Sequence, residues 1–87
     1  MTFRIEYLES VFKEDIPRLS KPTQKQIKTA IENKLGSNPF EFGKPLRYSL
    51  KGARRLRVGD YRVIYRIENP NVVIVIKIGH RKEVYES

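Results

Sequence analysis

Apolar and polar residues alternate over Phe3-Arg4-Ile5-Glu6-Tyr7 before the pair Tyr7-Leu8 breaks the rhythm, the period of a strand with one covered face. Ser10 is then placed as an N-cap before Val11, Phe12, Ile16 and Leu19, which recur at roughly helical spacing. Pro17 falls inside that pattern and predicts a shortened or bent helix, because a ring nitrogen cannot donate to the preceding turn. Pro22-Thr23 opens a stronger helix. Ile27, Ala30, Ile31 and Leu35 share one face of it, Lys25, Lys28 and Glu32 lie elsewhere, and Gly36 is the natural stop. Asn38 to Pro45, rich in Pro, Gly and Phe, reads as a loop. From Leu46 onward the period changes from helical to alternating. Arg54 to Val58, Tyr61 to Glu68 and Val72 to Gly79 read as three antiparallel strands, joined at Gly59-Asp60 and at Asn69-Pro70-Asn71.

The pattern predicts an α+β fold: an N-terminal strand, a two-helix hairpin, then a three-stranded antiparallel meander, forming one sheet with the helices on one face. A chain of 87 residues is expected to make a single domain over 1–87. Cysteine is absent and His80 is the one histidine, so neither disulfides nor a structural zinc site is expected, and no cofactor or metal is called for. Arg4, Glu6 and Glu9 interrupt the apolar residues of the first ten positions, which is unlike a signal peptide. No stretch approaches the roughly 18 apolar residues of a membrane span. A cytoplasmic protein without a membrane partner is the expectation.

Charge changes the picture. The net charge is +8, and before residue 44 seven Lys/Arg nearly balance six Asp/Glu. Between Lys44 and Lys82 there are eleven Lys/Arg against only Asp60 and Glu68. The excess therefore sits in the meander, and a polyanion, nucleic acid above all, is the partner it suggests.

A two-residue loop at Gly59-Asp60 sets a register: Val58 faces Tyr61, Arg57 faces Arg62, Leu56 faces Val63, and Arg55 faces Ile64. One side then shows Leu56, Val58, Tyr61, Val63, Tyr65 and Ile67, ready to bury under the helices. The other shows Arg55, Arg57, Arg62 and Arg66. Like charges directly opposed destabilise a strand pair by up to about 1 kcal/mol, a cost that a bound anion reverses. Arginine suits phosphate because its planar fork donates in pairs and stays charged. A four-residue loop over Glu68 to Asn71 would pair Ile67 with Val72 and Arg62 with Lys77. It would put Val73, Val75 and Lys77 on the arginine face and Ile74, Ile76 and Ile78 beneath the helices; a three-residue loop would reverse that parity.

The stretch Arg54-Arg55-Leu56-Arg57-Val58-Gly59-Asp60-Tyr61-Arg62-Val63-Ile64-Tyr65 resembles the central signature of RelE/ParE-superfamily toxins, and Ile78-Gly79-His80-Arg81-Lys82-Glu83-Val84-Tyr85 resembles their closing motif. The resemblance covers essentially the whole chain. It implies a toxin of the RelE branch, a metal-independent endoribonuclease that cuts messenger RNA in the ribosomal decoding site by attack of a ribose 2′-hydroxyl on the adjacent phosphate. It also implies a cognate acidic antitoxin, in hetero-oligomeric complex with the toxin. By the same resemblance Arg62 contacts the scissile phosphate, Arg81 acts near the leaving group, and Tyr85 stacks on a base or assists proton transfer. Arg55 and Arg57 fall beside the phosphate, while Arg54, Lys51 and Lys77 would help to bind RNA. The family's two strand lysines are replaced here by Ala53 and Arg55. Arginine stays charged and accepts no proton, whereas an imidazole can exchange one, so His80 is a further catalytic candidate. Two alternatives stay open: a ParE-type toxin that poisons DNA gyrase and cuts nothing, and a degenerate basic binding module.

Overall fold

The computed structural model describes residues 2–47, 51–68 and 70–84. Strand β1 (Arg4–Tyr7) leads into a first helical arm, a wide turn over Val11–Asp15 that tightens to a 3-10 turn over Ile16–Arg18. Helix α1 (Lys21–Ala30) follows and is prolonged by a second wide turn over Ile31–Leu35. A short helix α2 (Pro39–Phe42) leads to an edge strand β2 (Lys44–Pro45), then β3 (Arg54–Val58), β4 (Tyr61–Glu68) and β5 (Val72–His80). The segment expected to be a loop therefore holds one helical turn and a two-residue strand.

Local chemistry explains most of these boundaries. Ser20 is the N-cap of α1: its hydroxyl accepts from the Thr23 amide at 3.3 Å, and a proline stands in the first turn, where its missing donor costs nothing. Ser10 is not a cap. It already has helical φ/ψ and no side-chain bond, because the chain turns helical at Glu9, with Val11 and Phe12 donating to the Leu8 carbonyl. Pro17 has the expected effect, since the arm tightens around it and ends at Leu19, which is extended.

One mixed sheet runs β1-β5-β4-β3-β2, with β1 parallel to β5 and the other neighbours antiparallel. Gly59, at φ +59°, supplies the left-handed residue that the two-residue turn needs, and the register of β3 on β4 is the one the sequence predicts. Leu56, Val58, Val63 and Tyr65 meet Val11, Ile27, Ile31 and Leu35 in the main core, with Tyr61 and Ile67 packed against it. Each buried aliphatic side chain there contributes about 1.5–3 kcal/mol.

The second hairpin differs from the four-residue reading. Glu68 itself pairs with Val72, so Ile67 faces Val73, and Val73 and Val75 lie in the core under the helices. A bulge then shifts the register at Ile64/Tyr65, skipping Ile76, which restores Ile78 to the core and sets Gly79 rather than Lys77 opposite Arg62. Ile76 instead packs against a second apolar cluster of Leu46, Ala53, Ile64 and Val84.

Strand β1 ends its pairing at Tyr7 and Val75, which leaves the far end of β5 without a neighbouring strand on that side. Asp15, only 4% exposed, fills the gap: Oδ2 accepts from the Ile78 amide at 2.9 Å and Oδ1 from the Lys77 ammonium at 3.1 Å. The carboxylate thus satisfies an edge donor that would otherwise be buried alone.

Candidate functional site

The arginine face survives the change of register. Arg55 and Arg57 on β3 and Arg62 and Arg66 on β4 share one side of the sheet by strict alternation, and Arg57 stands directly opposite Arg62. Their surroundings grade from closed to open. Arg62 is 7% exposed, and its Nη1 donates to the Gly59 and Tyr61 carbonyls at 3.1 and 2.9 Å. Arg55 and Arg66 are half-buried and Arg57 is exposed. At the other end of β3, Gly52 has φ +93°, and a Cβ built there would lie 2.8 Å from Arg66 Nη1. Exposed Lys51 precedes it. The face is not uniformly charged: the second apolar cluster sits within it, and Ala53, where the family pattern has a lysine, is buried in that cluster.

One expected member of the set lies elsewhere, and another is engaged away from it. Arg54 alternates onto the helix side opposite Tyr65, and its Nη2 donates to the Phe40 and Gly43 carbonyls at 2.6 and 2.8 Å. Beside it the Tyr65 hydroxyl donates to the Pro39 carbonyl at 2.7 Å. Burial raises the Tyr65 phenol above its ordinary value, and the Arg54 guanidinium pulls it part of the way back. Gly43 is obligatory, since a Cβ there would overlap the Tyr65 hydroxyl. These contacts pin α2 to the sheet, which makes Arg54 a structural residue. Arg54→Met should therefore cost about 2 kcal/mol of stability in a urea titration, as two charge-assisted bonds are lost. Arg57→Met should leave the unfolding midpoint almost unchanged. Lys77 keeps a register position on the arginine side, opposite Ile64, but its ammonium is drawn to Asp15.

Behind β5 the chain doubles back. Glu83 and Val84 donate to the His80 carbonyl at 2.8 and 3.1 Å, closing a turn over Arg81 and Lys82. Gly79 makes room for this return, because a Cβ on it would lie 2.8 Å from Val84 Cγ2. Val84 then enters the second apolar cluster, beside Ile64 on the arginine face. The turn's outer residue, Arg81, is tied to the β3–β4 hairpin by its amide, which donates to the Asp60 carbonyl at 2.8 Å. Its guanidinium is 56% exposed and stands 3.7 Å from the Asp60 carboxylate. His80 pairs with Tyr61, so it lies on the helix side, its ring edge-on to the tyrosine at 5.5 Å. Nδ1 of His80 accepts from the Lys82 amide at 3.1 Å. Its observed contacts hold the turn. Tyr85 lies outside the described residues.

The sequence reading missed Asp15, Gly79 and the anchoring of α2. The first is one acid among several on a helical stretch, and nothing local marks it as the partner of a strand 63 residues away. Gly79 was legible only as a strand end, though glycine next to a bulky return is a recognisable signal.

A family model described as the ParE toxin of type II toxin–antitoxin systems, parDE, matches residues 7–85. The chain belongs to this family. Within the wider RelE/ParE superfamily it is RelE-like. It is 36% identical over 72 residues to Toxin RelE of Mycobacterium tuberculosis, a match over 82% of this chain and 74% of the relative. It is 38% identical over 52 residues to Toxin RelG of the same organism, over 59% of this chain and 60% of that protein, so the chain spans about three fifths of RelG. In structure it is similar to the toxin–antitoxin complex RelBE2 from M. tuberculosis, with TM-score 0.86 and 25% identity over 95% of each chain. It shares its fold with the isolated E. coli RelE toxin, at TM-score 0.71 and 21% identity over 90% and 83% of the two chains. The described residues include no helix long and apolar enough to cross a membrane.

Proposed function

We propose that the protein is an endoribonuclease toxin that cleaves messenger RNA in the ribosomal A site, inhibiting translation, and that an acidic antitoxin restrains it. The observation that carries this reading is Arg62, a buried guanidinium fixed by two carbonyls within a face of arginines. A donor held in place before the substrate arrives stabilises developing charge without a reorganisation cost.

The ribose 2′-oxygen attacks the adjacent phosphorus, the 5′-oxygen leaves, and a cyclic phosphate remains. Negative charge builds on the phosphorane oxygens and on the leaving oxygen. Arg62 is assigned to the first and the exposed Arg81 to the second. Arg55 and Arg57 hold the flanking backbone, with Lys51 at the margin. His80 serves the reaction by keeping the turn under Arg81 closed, and Tyr85 is assigned to stacking or proton transfer. Solved relatives of this fold include RelBE toxin–antitoxin complexes, which supports a protein partner of that kind here.

The match to ParE toxins and the buried Ala53 favour a second reading, a gyrase poison without nuclease activity. Expressing the chain without an antitoxin separates the two. New 5′-hydroxyl ends should appear within translated messages while chromosomal DNA stays intact. Gyrase-linked DNA breaks beside uncut messages would replace the first reading with the second.

A further inference from the structure

We propose that Phe42 and the cations around it form a base-stacking subsite for single-stranded RNA beside the arginine face. The inference rests on the nuclease reading above and adds to it a place for a nucleotide outside the cleaved step. Phe42, at the end of α2, is 49% exposed. It borders a shallow hollow of about 150 Å³ that is otherwise lined by Lys34, Lys44, Arg55, Leu56 and Arg57. No acid lines it. The Lys34 ammonium stands 5.9 Å from the centre of the phenyl ring. Lys44 is set directly opposite Arg55 across β2 and β3. This is a second opposed pair of like charges next to Arg57 and Arg62, so the repulsion that an anion would relieve runs from the arginine face to the hollow.

The platform is anchored. Arg54 grips the Phe40 and Gly43 carbonyls on either side of Phe42, and the Tyr65 hydroxyl holds the Pro39 carbonyl. Phe40 is also exposed, but its ring leans edge-on against Phe3 at 6.2 Å and so has a partner within the chain. Phe42 instead presents an aromatic surface among cations, on a segment anchored on both sides of it. A nucleobase stacked on that ring would place its phosphates within the span of Lys44, Arg55 and Arg57. Stacking of this kind tolerates any base, because every base has a π-face.

The chain contains no tryptophan, so Phe42→Trp introduces a single fluorescent reporter at the subsite. Binding of a short unstructured oligoribonucleotide should quench its emission. Phe42→Ala should weaken that binding about tenfold or more. Phe42→Trp should retain it, and an oligonucleotide with an abasic residue at the stacked position should bind wild type and Phe42→Ala alike. A thermal melt checks that the alanine variant is folded, as a half-exposed ring leads one to expect. If Phe42→Ala binds and cuts RNA like the wild type while Arg57→Ala is impaired, the subsite is wrong and the nuclease reading stands. If the wild type neither binds RNA nor cuts ribosome-bound message, both fall together. If Phe42→Ala weakens only the capture of an acidic antitoxin segment, the hollow is a protein-docking surface and the proposal is overturned.

Discussion

Arg62→Lys should slow message cleavage about a hundredfold or more, the scale of losing one preorganised donor to developing oxyanion charge. Charge alone is kept by this change; geometry is not. The guanidinium spends Nη1 on the Gly59 and Tyr61 carbonyls and is fixed in direction by doing so. A lysine ammonium is a point charge on a flexible stem, and it can either cap those carbonyls or reach the phosphate. The loss should fall on the single-turnover rate more than on apparent affinity, because the donor acts on charge that exists only in the transition state. Arg62→Ala is the less informative change, since it also strips two carbonyls of their donor and adds a folding cost of about 1–3 kcal/mol. Single-turnover cleavage on programmed ribosomes, beside a thermal melt, measures the effect. A folded lysine variant that cuts at the wild-type rate would remove Arg62 from the reaction.

The same hairpin shows how far a sequence can be read. Gly59-Asp60 allows essentially one tight turn, and alternation then fixes five pairs from Val58–Tyr61 to Arg54–Tyr65, with a core face and an arginine face. Alternation also places Arg54 with Leu56 and Val58. Three arginines in four positions invite a single role, yet Arg54 braces α2 while Arg55 and Arg57 face outward. Strand β5 gave no such purchase. Val72 to Ile76 is apolar at every position, because one side meets the helices and the other meets Ile76's cluster, and an unbroken run carries no parity. Neither the turn length nor the bulge at Ile76 could be recovered from it. What brings β1 beside β5, or Asp15 to the Ile78 amide, is sheet order, which no local pattern encodes. The wide turns at Val11–Asp15 and Ile31–Leu35 were likewise invisible, since their apolar spacing passes for an ordinary helix. Within the candidate site, the residues that would touch phosphate were legible by type and alternation; those that position them were not.

Arg81→Ala should lower cleavage by about a hundredfold to ten-thousandfold if Arg81 meets the leaving oxygen, the span of a general acid or its electrostatic equivalent. Stability should hardly move. Its guanidinium is 56% exposed and stands 3.7 Å from an exposed Asp60, and ion pairs of this kind contribute about 1 kcal/mol at most. The turn beneath it is built from backbone bonds and from His80 Nδ1, none of which needs the Arg81 side chain. The chemistry offers a sharper test than the rate. A substrate whose bridging 5′-oxygen is replaced by sulfur expels a thiolate, which leaves without protonation or strong charge stabilisation. On that substrate the Arg81→Ala defect should largely vanish, whereas the Arg62→Lys defect should remain, because the phosphorane oxygens still gather charge. Two defects that respond alike to the sulfur substitution would mean that both arginines only hold the RNA, and the division of labour between a buried and an exposed guanidinium would be wrong.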